Sequence, residues 1–191
     1  MSERFVGRGG HKLNAALEHW VPNPIGSLDG VVAADLGANV GGFTDCLLKA
    51  GAARVYSVDT SYGVFEWTLR NDERVVVMER TNALHLELPE NVYIAAVDVG
   101  WTRQHHIIPA AWKHISPNGW IISLLKPHYE ASKSQRRGGE IRRETVDEVV
   151  QTTCETLKEM GFPLADITDS PLLGGKAKNP EFLLLIGPKI D

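Results

Sequence analysis

The sequence predicts an α/β fold with a doubly wound, mostly parallel sheet of seven strands, the last of them antiparallel. Three observations carry this. Apolar strand-like runs alternate with amphipathic stretches at helical spacing along nearly all of the 191 residues, the pattern of parallel strands joined by crossover helices. Some runs, such as Val75-Val-Val-Met78, are continuously apolar rather than alternating, as suits strands buried on both faces. The run that ends at Leu36 leads through Gly37, Gly41 and Gly42 into the amphipathic stretch from Phe43 to Ala50, which reads as strand, glycine turn and helix.

Taken in order, 10–20 reads as a helix, with Leu13, Ala16, Leu17 and Trp20 on one face. Pro22-Asn-Pro24 stops it. Strands are expected at 31–36, 54–58, 75–78, 93–97, 120–125, 164–168 and 182–186. Helices are expected near 42–49, 64–70, 105–115 and 143–160. The last two strands follow each other closely, which allows the final one to run antiparallel. The length fits a single domain spanning 1–191, with 1–22 as an N-terminal helical extension. We see no internal repeat or low-complexity tract.

Bulk properties narrow the class. With 43% hydrophobic and 23% charged residues the chain is globular rather than disordered. No run reaches the ~18 apolar residues of a membrane helix, and the first residues lack a signal-peptide core. Cys46 and Cys154 fall inside expected helices, as small residues in a reducing cytoplasm. No Cys/His cluster has metal-ligand spacing. His105 and His106 are adjacent, about 100° apart on a helix, and so do not share an ion. The net charge of −4 argues mildly against nucleic acid. The segment from Lys133 to Arg143 softens that, with five cations (Lys133, Arg136, Arg137, Arg142 and Arg143) and one acid. Arg4, Arg8 and Lys12 add to it near the start. Such a run can neutralise phosphates; taken alone it also reads as a solvated surface.

The glycine turn is D-x-G-x-x-x-G-G, from Asp35 to Gly42. It is neither the dinucleotide fingerprint nor the Walker A loop. A second run ends in Asp59, where a carboxylate can accept both hydrogen bonds of a ribose diol. An acid at each strand end without a phosphate loop points to an adenosine cofactor such as S-adenosylmethionine. Four further residues stand out by position. Asp98 and Lys126 end the fourth and fifth strand runs, Glu181 opens the last one, and Lys12 lies in Arg8-Gly-Gly-His-Lys12. Ligands of open α/β sheets bind at the carboxyl ends of strands. An antiparallel last strand would bring Glu181 to the same edge. For Asp98 and Lys126 alone, a structural ion pair explains the pattern equally well.

These stretches, with Glu79-Arg-Thr-Asn-Ala83, Leu125-Lys-Pro127 and Asn179-Pro-Glu-Phe-Leu183, resemble the TlyA (hemolysin A-like) family of ribosomal RNA 2′-O-methyltransferases, within the FtsJ-like superfamily. The resemblance runs in family order over nearly the whole chain. It implies a Rossmann-like S-adenosylmethionine-dependent methyltransferase with a Lys12, Asp98, Lys126, Glu181 tetrad. It implies a cofactor site on Asp35, Gly37, Asn39, Gly41, Gly42, Phe43, Thr44, Asp59, Asn82, Ala83 and Asp98. The glycines would line the methionine end, Asp59 the ribose, and Asn82 and Ala83 the adenine edge. Asn82 also reads as a turn cap, and Phe43 and Trp67 as core residues.

The family's S4 RNA-binding domain has no counterpart before Lys12. The family's Asp-Val-Ser-Phe and Lys-Pro-Gln-Phe-Glu stand here as Asp98-Val-Gly-Trp101 and Lys126-Pro-His-Tyr-Glu130. The expected substrate is RNA, chiefly ribosomal RNA in subunits, contacted by Arg8, Lys133, Arg136, Arg137, Arg142 and Arg143. Gly138 and Gly139 would leave that basic loop mobile until substrate orders it. The alternatives are methylation of a non-RNA hydroxyl, or a cofactor-binding subunit that depends on a partner protein for RNA. Homo-oligomerisation is left open, and no membrane role is expected.

Overall fold

The computed structural model describes residues 5–137, 139–175 and 177–190; Arg4 and Gly138, named above, lie outside them. The strands are β1 (Val32–Leu36), β2 (Arg54–Val58), β3 (Val75–Met78), β4 (Val92–Val97), β5 (Ile115–Leu125), a short pair β6 (Arg136–Arg137) and β7 (Glu140–Ile141), β8 (Leu164–Asp169) and β9 (Phe182–Ile186). The helices are α1 (Gly9–Trp20), α2 (Gly42–Lys49), α3 (Trp67–Arg70), α4 (Gln104–Trp112), α5 (Pro127–Glu130) and α6 (Val146–Glu159).

Seven strands form one sheet in the order β3-β2-β1-β4-β5-β9-β8. The first five run parallel, and β9 is antiparallel to both of its neighbours. Strand alternation divides the core into two layers. Ile122, Leu124, Leu183 and Leu185 face Leu13, Leu17 and Trp20 of α1 and Phe43 and Leu47 of α2. Ile121, Leu125, Leu184 and Ile186 face Ile107 and Ile108 of α4 and Leu157 of α6. The sheet is therefore covered on both sides, as its continuous apolar strands require.

Register sets the functional edge. Leu36 pairs with Val58 and with Val97, so β1, β2 and β4 end level. The residues that follow are Gly37, Asp59 and Asp98. Leu125 pairs with Phe182, which sets Glu181 beside the end of β5 and Lys126.

The structure departs from expectation in several places. The fifth strand begins at Ile115, and Pro117-Asn-Gly119 lies in a bulge of it where the pairing with β4 jumps from Ile115 to Trp120, with Asn118 at φ +59°. That triplet falls between the helix expected at 105–115 and the strand expected at 120–125. The preceding helix accordingly ends at Trp112, and α3 starts only at Trp67. Trp67 itself is 70% exposed rather than in the core. The basic run forms the β6–β7 hairpin, where Asn179 accepts from Ile141 N–H at 3.1 Å and donates to the Gly139 carbonyl at 3.3 Å.

The glycine turn owes its composition mainly to packing within the chain. A Cβ on Gly37, at φ +96°, would sit 2.5 Å from the Asp98 carbonyl oxygen. One on Gly42 would lie 2.8 Å from Gly10 N and from the Val6 carbonyl oxygen. One on Gly41 would strike Leu69 and Phe65, so Gly41 faces the core and not a ligand. Under the turn, Asp35 is fully buried. Its Oδ2 accepts from Thr44 N–H at 2.8 Å and from the Thr44 hydroxyl at 2.7 Å. Thr44 Oγ1 lies 2.7 Å from Ser57 Oγ. Asp35 and Thr44 are thus internal braces of the turn, a correction to their expected place in the cofactor site.

Burial pushes the Asp35 carboxyl up to about 7; Thr44 opposes this, and the charges of Asp98 and Asp59 add to it. The unfolded chain releases that proton near pH 4, whereas the folded protein holds it to about pH 7. Stability should therefore fall as pH rises across that window, by about 4 kcal/mol when the group is fully ionised. Denaturant unfolding from pH 4 to 8 should show the decline in the native protein and not in Asp35→Asn. Separately, Gly42→Ala should cost about 1–3 kcal/mol by overpacking α1 against α2, measurable as a lowered denaturation midpoint.

Candidate active site

Two clefts open along the carboxyl edge of the sheet. The first, of about 500 Å³, is lined by Gly37 and Asn39 of the glycine turn, Asp59 to Ser61 after β2, Thr81 to Leu84 after β3, and Asp98 to Thr102 after β4. The second, of about 670 Å³, is lined by Lys12, Asp98, Trp101, Lys126, His128, Tyr129, Arg136 and Glu181, with Gly174, Gly175 and Asn179. Asp98, Trp101 and Lys126 border both. A smaller recess beside them is walled by Arg8, Gly9, Gly37, Asn39, Gly42, Phe43 and Asp98.

In the first cleft, Asp59 is fixed by main-chain donors. Its Oδ2 accepts from Asn39 N–H at 2.8 Å and its Oδ1 from Ser61 N–H at 2.7 Å. Asn39 reaches it from a left-handed conformation, φ +49°. Each carboxylate oxygen keeps a second acceptor position. The Ser61 hydroxyl is buried without a hydrogen-bond partner among the described residues. Asn82 caps a short 3₁₀ turn, Ala83–His85, by accepting from Leu84 N–H at 3.0 Å; the turn-cap reading is met while the residue still lines the cleft. Phe43 is buried in the core and borders the side recess.

In the second cleft two lysine–carboxylate pairs face each other. Lys12 Nζ donates to Glu181 Oε2 at 2.5 Å, joining α1 to the start of β9, with both residues nearly inaccessible. Gly174 leaves room for that carboxylate, since a Cβ there would lie 2.4 Å from Glu181 Oε1. Lys126 forms a salt bridge with Asp98 and donates to the Val99 carbonyl at 3.2 Å. The structure thus brings all four of these residues to one cleft. Sequence reasoning missed the aromatic side of that cleft, Trp101, His128 and Tyr129; the signal was there in Gly100-Trp101 and His128-Tyr129, directly after the two charged strand ends. His128 is held below the ordinary histidine range by burial and by the Lys126 and Arg136 charges, so it is neutral at pH 7.

The basic residues are spread along the rim. Arg136 lines the second cleft and donates to the His128 carbonyl at 3.3 Å. Lys133, Arg137, Arg142 and Arg143 are exposed. Arg8 is exposed on the side recess and donates to the Leu173 carbonyl at 3.0 Å. Among the described residues no His, Cys, Asp and Glu cluster could hold a metal, and no helix is long and apolar enough to cross a membrane.

The model of the FtsJ-like methyltransferases matches residues 5–187. The chain is 36% identical over its full length to the 16S/23S rRNA (cytidine-2′-O)-methyltransferase TlyA of Mycobacterium tuberculosis, covering 71% of that protein. It is 36% identical to YqxC of Bacillus subtilis over 95% of this chain and 65% of that one. The chain thus spans about two thirds of the length of these relatives. A hemolysin-named structure from Streptococcus thermophilus superposes with a TM-score of 0.89 at 34% identity, covering all of this chain and 70% of that one. Fibrillarin from Aeropyrum pernix, solved with natively bound S-adenosyl-L-methionine, shares the fold at a TM-score of 0.63 and 15% identity, over 94% of this chain and 76% of that one. The chain belongs to the FtsJ-like methyltransferase family.

Proposed function

We propose that this chain methylates the ribose 2′-hydroxyl of an RNA, a ribosomal RNA within a subunit. One observation carries the reading: two lysine–carboxylate pairs converge on a cleft that joins the cofactor cleft through Asp98 and Lys126. The relatives' activity, a 2′-O-methyl transfer to rRNA cytidine in M. tuberculosis TlyA, supports it.

The first cleft fits the cofactor. Asp59 presents acceptor positions for a ribose diol, and the buried Ser61 hydroxyl has no partner among the described residues. Asn82 and Ala83 would flank the adenine, with Gly37 and Asn39 beside the methionine. When bound, S-adenosylmethionine supplies a methyl group already activated by its sulfonium. The remaining work for the protein is to aim a hydroxyl at that methyl and to accept its proton. Lys126 stands where the two clefts meet, and we assign it the hydroxyl. Asp98 and the Val99 carbonyl hold its side chain in place. Lys12, fixed by Glu181, adds a second cation across the cleft, against the developing alkoxide or the neighbouring phosphate. The basic hairpin and Arg8 would grip the backbone, with no base information.

The direct test is labelled cofactor with ribosomal subunits and with naked RNA, followed by nucleoside mapping. A 2′-O-methyl nucleoside is expected; label on a base, or on no RNA, would refute the reading. Lys126→Ala should lower the methylation rate about 100- to 10,000-fold while cofactor affinity, followed by calorimetry, persists. Neutralising Arg136 and Arg137 together should weaken RNA binding and flatten its logarithmic salt dependence by about 1–2, with cofactor affinity unchanged. An unaltered salt slope would reduce the hairpin to a solvated surface.

A further inference from the structure

The basic hairpin is too small to hold its own position. β6 and β7 are two residues long and form a sheet of their own, Arg136 pairing with Ile141 and Arg137 with Glu140. Even a longer isolated hairpin is marginal in water. Ile141 anchors its base, buried against Ala131, Val146 and Val149. Its outer part leans on Asn179.

Asn179 is 5% exposed and lies at the wall of the second cleft. Its side chain accepts from Ile141 N–H and donates to the Gly139 carbonyl, so one amide does for the hairpin what a third strand would do. Its main-chain carbonyl accepts from Gly174 N–H at 2.8 Å. Gly174 is the residue that leaves room for the Glu181 carboxylate, and the Leu173 carbonyl before it receives Arg8. Just beyond Asn179, Glu181 fixes Lys12. Asn179 therefore joins the segment that carries the basic residues to the segment that carries the tetrad. A buried amide is costly unless its hydrogen bonds are made. An apolar residue would fill the same space without tying the two segments, so packing alone does not explain an asparagine here.

The chemistry of RNA gives the tie a use. The 2′-hydroxyl and the phosphates belong to one sugar-phosphate chain, which sets their separation. Phosphates gripped by the hairpin bring a hydroxyl to Lys126 only if the hairpin stands at a fixed distance from the tetrad. A misplacement of about 1 Å at the reacting atoms can cost roughly 100-fold in rate.

We propose that Asn179 is a positioning residue for methyl transfer, setting the basic hairpin against the tetrad so that phosphates held by the hairpin align the 2′-hydroxyl with Lys126. The inference rests on the RNA ribose reading above and adds the residue that turns a grip on the backbone into alignment of the hydroxyl. Asn179 acts through the hairpin and takes no part in the proton transfer.

The test uses Asn179→Ala, which removes both side-chain bonds, and Asn179→Asp, which keeps the acceptor for Ile141 N–H and loses the donor to Gly139. Each is made alone and together with the pair Arg136→Gln and Arg137→Gln. The readouts are kcat/KM for methylation of ribosomal subunits, the salt dependence of RNA binding, and cofactor affinity by calorimetry. Asn179→Ala should lower kcat/KM for RNA about 10- to 100-fold, and Asn179→Asp should lower it less. Native cofactor affinity in both would show the fold intact; if Asn179→Ala fails to fold, Asn179→Asp carries the same comparison. Added to the neutralised hairpin, the Asn179 change should cost little more, because both act through one element. Losses that multiply would overturn the proposal, making Asn179 a support of Glu181 instead. Full activity in Asn179→Ala would overturn it too and leave the ribose reading standing. If the native protein methylates no RNA, the ribose reading fails by itself. A salt slope of RNA binding that flattens in Asn179→Ala would then still establish Asn179 as the support of the RNA grip, and an unchanged slope would remove that as well.

Discussion

The ion pair between Lys12 and Glu181 joins the first helix to the last strand, across 169 residues of sequence. Such a pair is a poor way to hold a fold. Taking both charges out of water costs several kcal/mol per ion, and a well-packed apolar pair is often as stable or better. Around it the layers are already apolar and complete, with Leu13, Trp20, Leu183 and Leu185 at 1% exposure or less. What the pair supplies is a cation fixed at the wall of a cleft. The same holds for Lys126 and Asp98 at the facing wall. The rest of the structure serves to deliver these four side chains to one place.

Delivery depends on register. β1, β2 and β4 end level, so Gly37, Asp59 and Asp98 emerge side by side. The antiparallel β9 then returns Glu181 to the level of Lys126. A parallel last strand would have put Glu181 at the far edge of the sheet. Lys12 arrives because α1 packs on α2 through Gly10 and Gly42, where side chains would hold the helices apart. The glycines of the two motifs, distant in sequence, are thus halves of a single contact.

Much of this was legible in the sequence, for a physical reason. An apolar run that ends in a charge marks a strand end, and strand ends in this fold share one edge. Asp59, Asp98 and Lys126 could be placed that way. Glu181 needed the additional inference of an antiparallel strand. Other features were hidden because tertiary contacts decide them. Asp35 also ends a strand, but it turns inward to Thr44, and no local pattern separates a carboxylate facing the core from one facing the cleft. Gly41 meets Phe65 and Leu69, about 25 residues away. Pro117-Asn-Gly119 has turn chemistry yet lies within a strand. Trp67, expected in the core, is exposed. Trp101 was visible as a letter, but its exposure and its neighbour Tyr129 were not.

The central claim is that the two lysines, delivered by distant parts of the chain, serve one chemical step. Residues that act as a unit are strongly non-additive: once one is lost, losing the other costs little more. The most direct measurement is therefore a double-mutant cycle on Lys12→Met and Lys126→Met, read as the rate of RNA methylation at saturating cofactor. The double variant should be about as slow as the slower single variant. Rate losses that multiply would contradict it, placing the two lysines in independent roles.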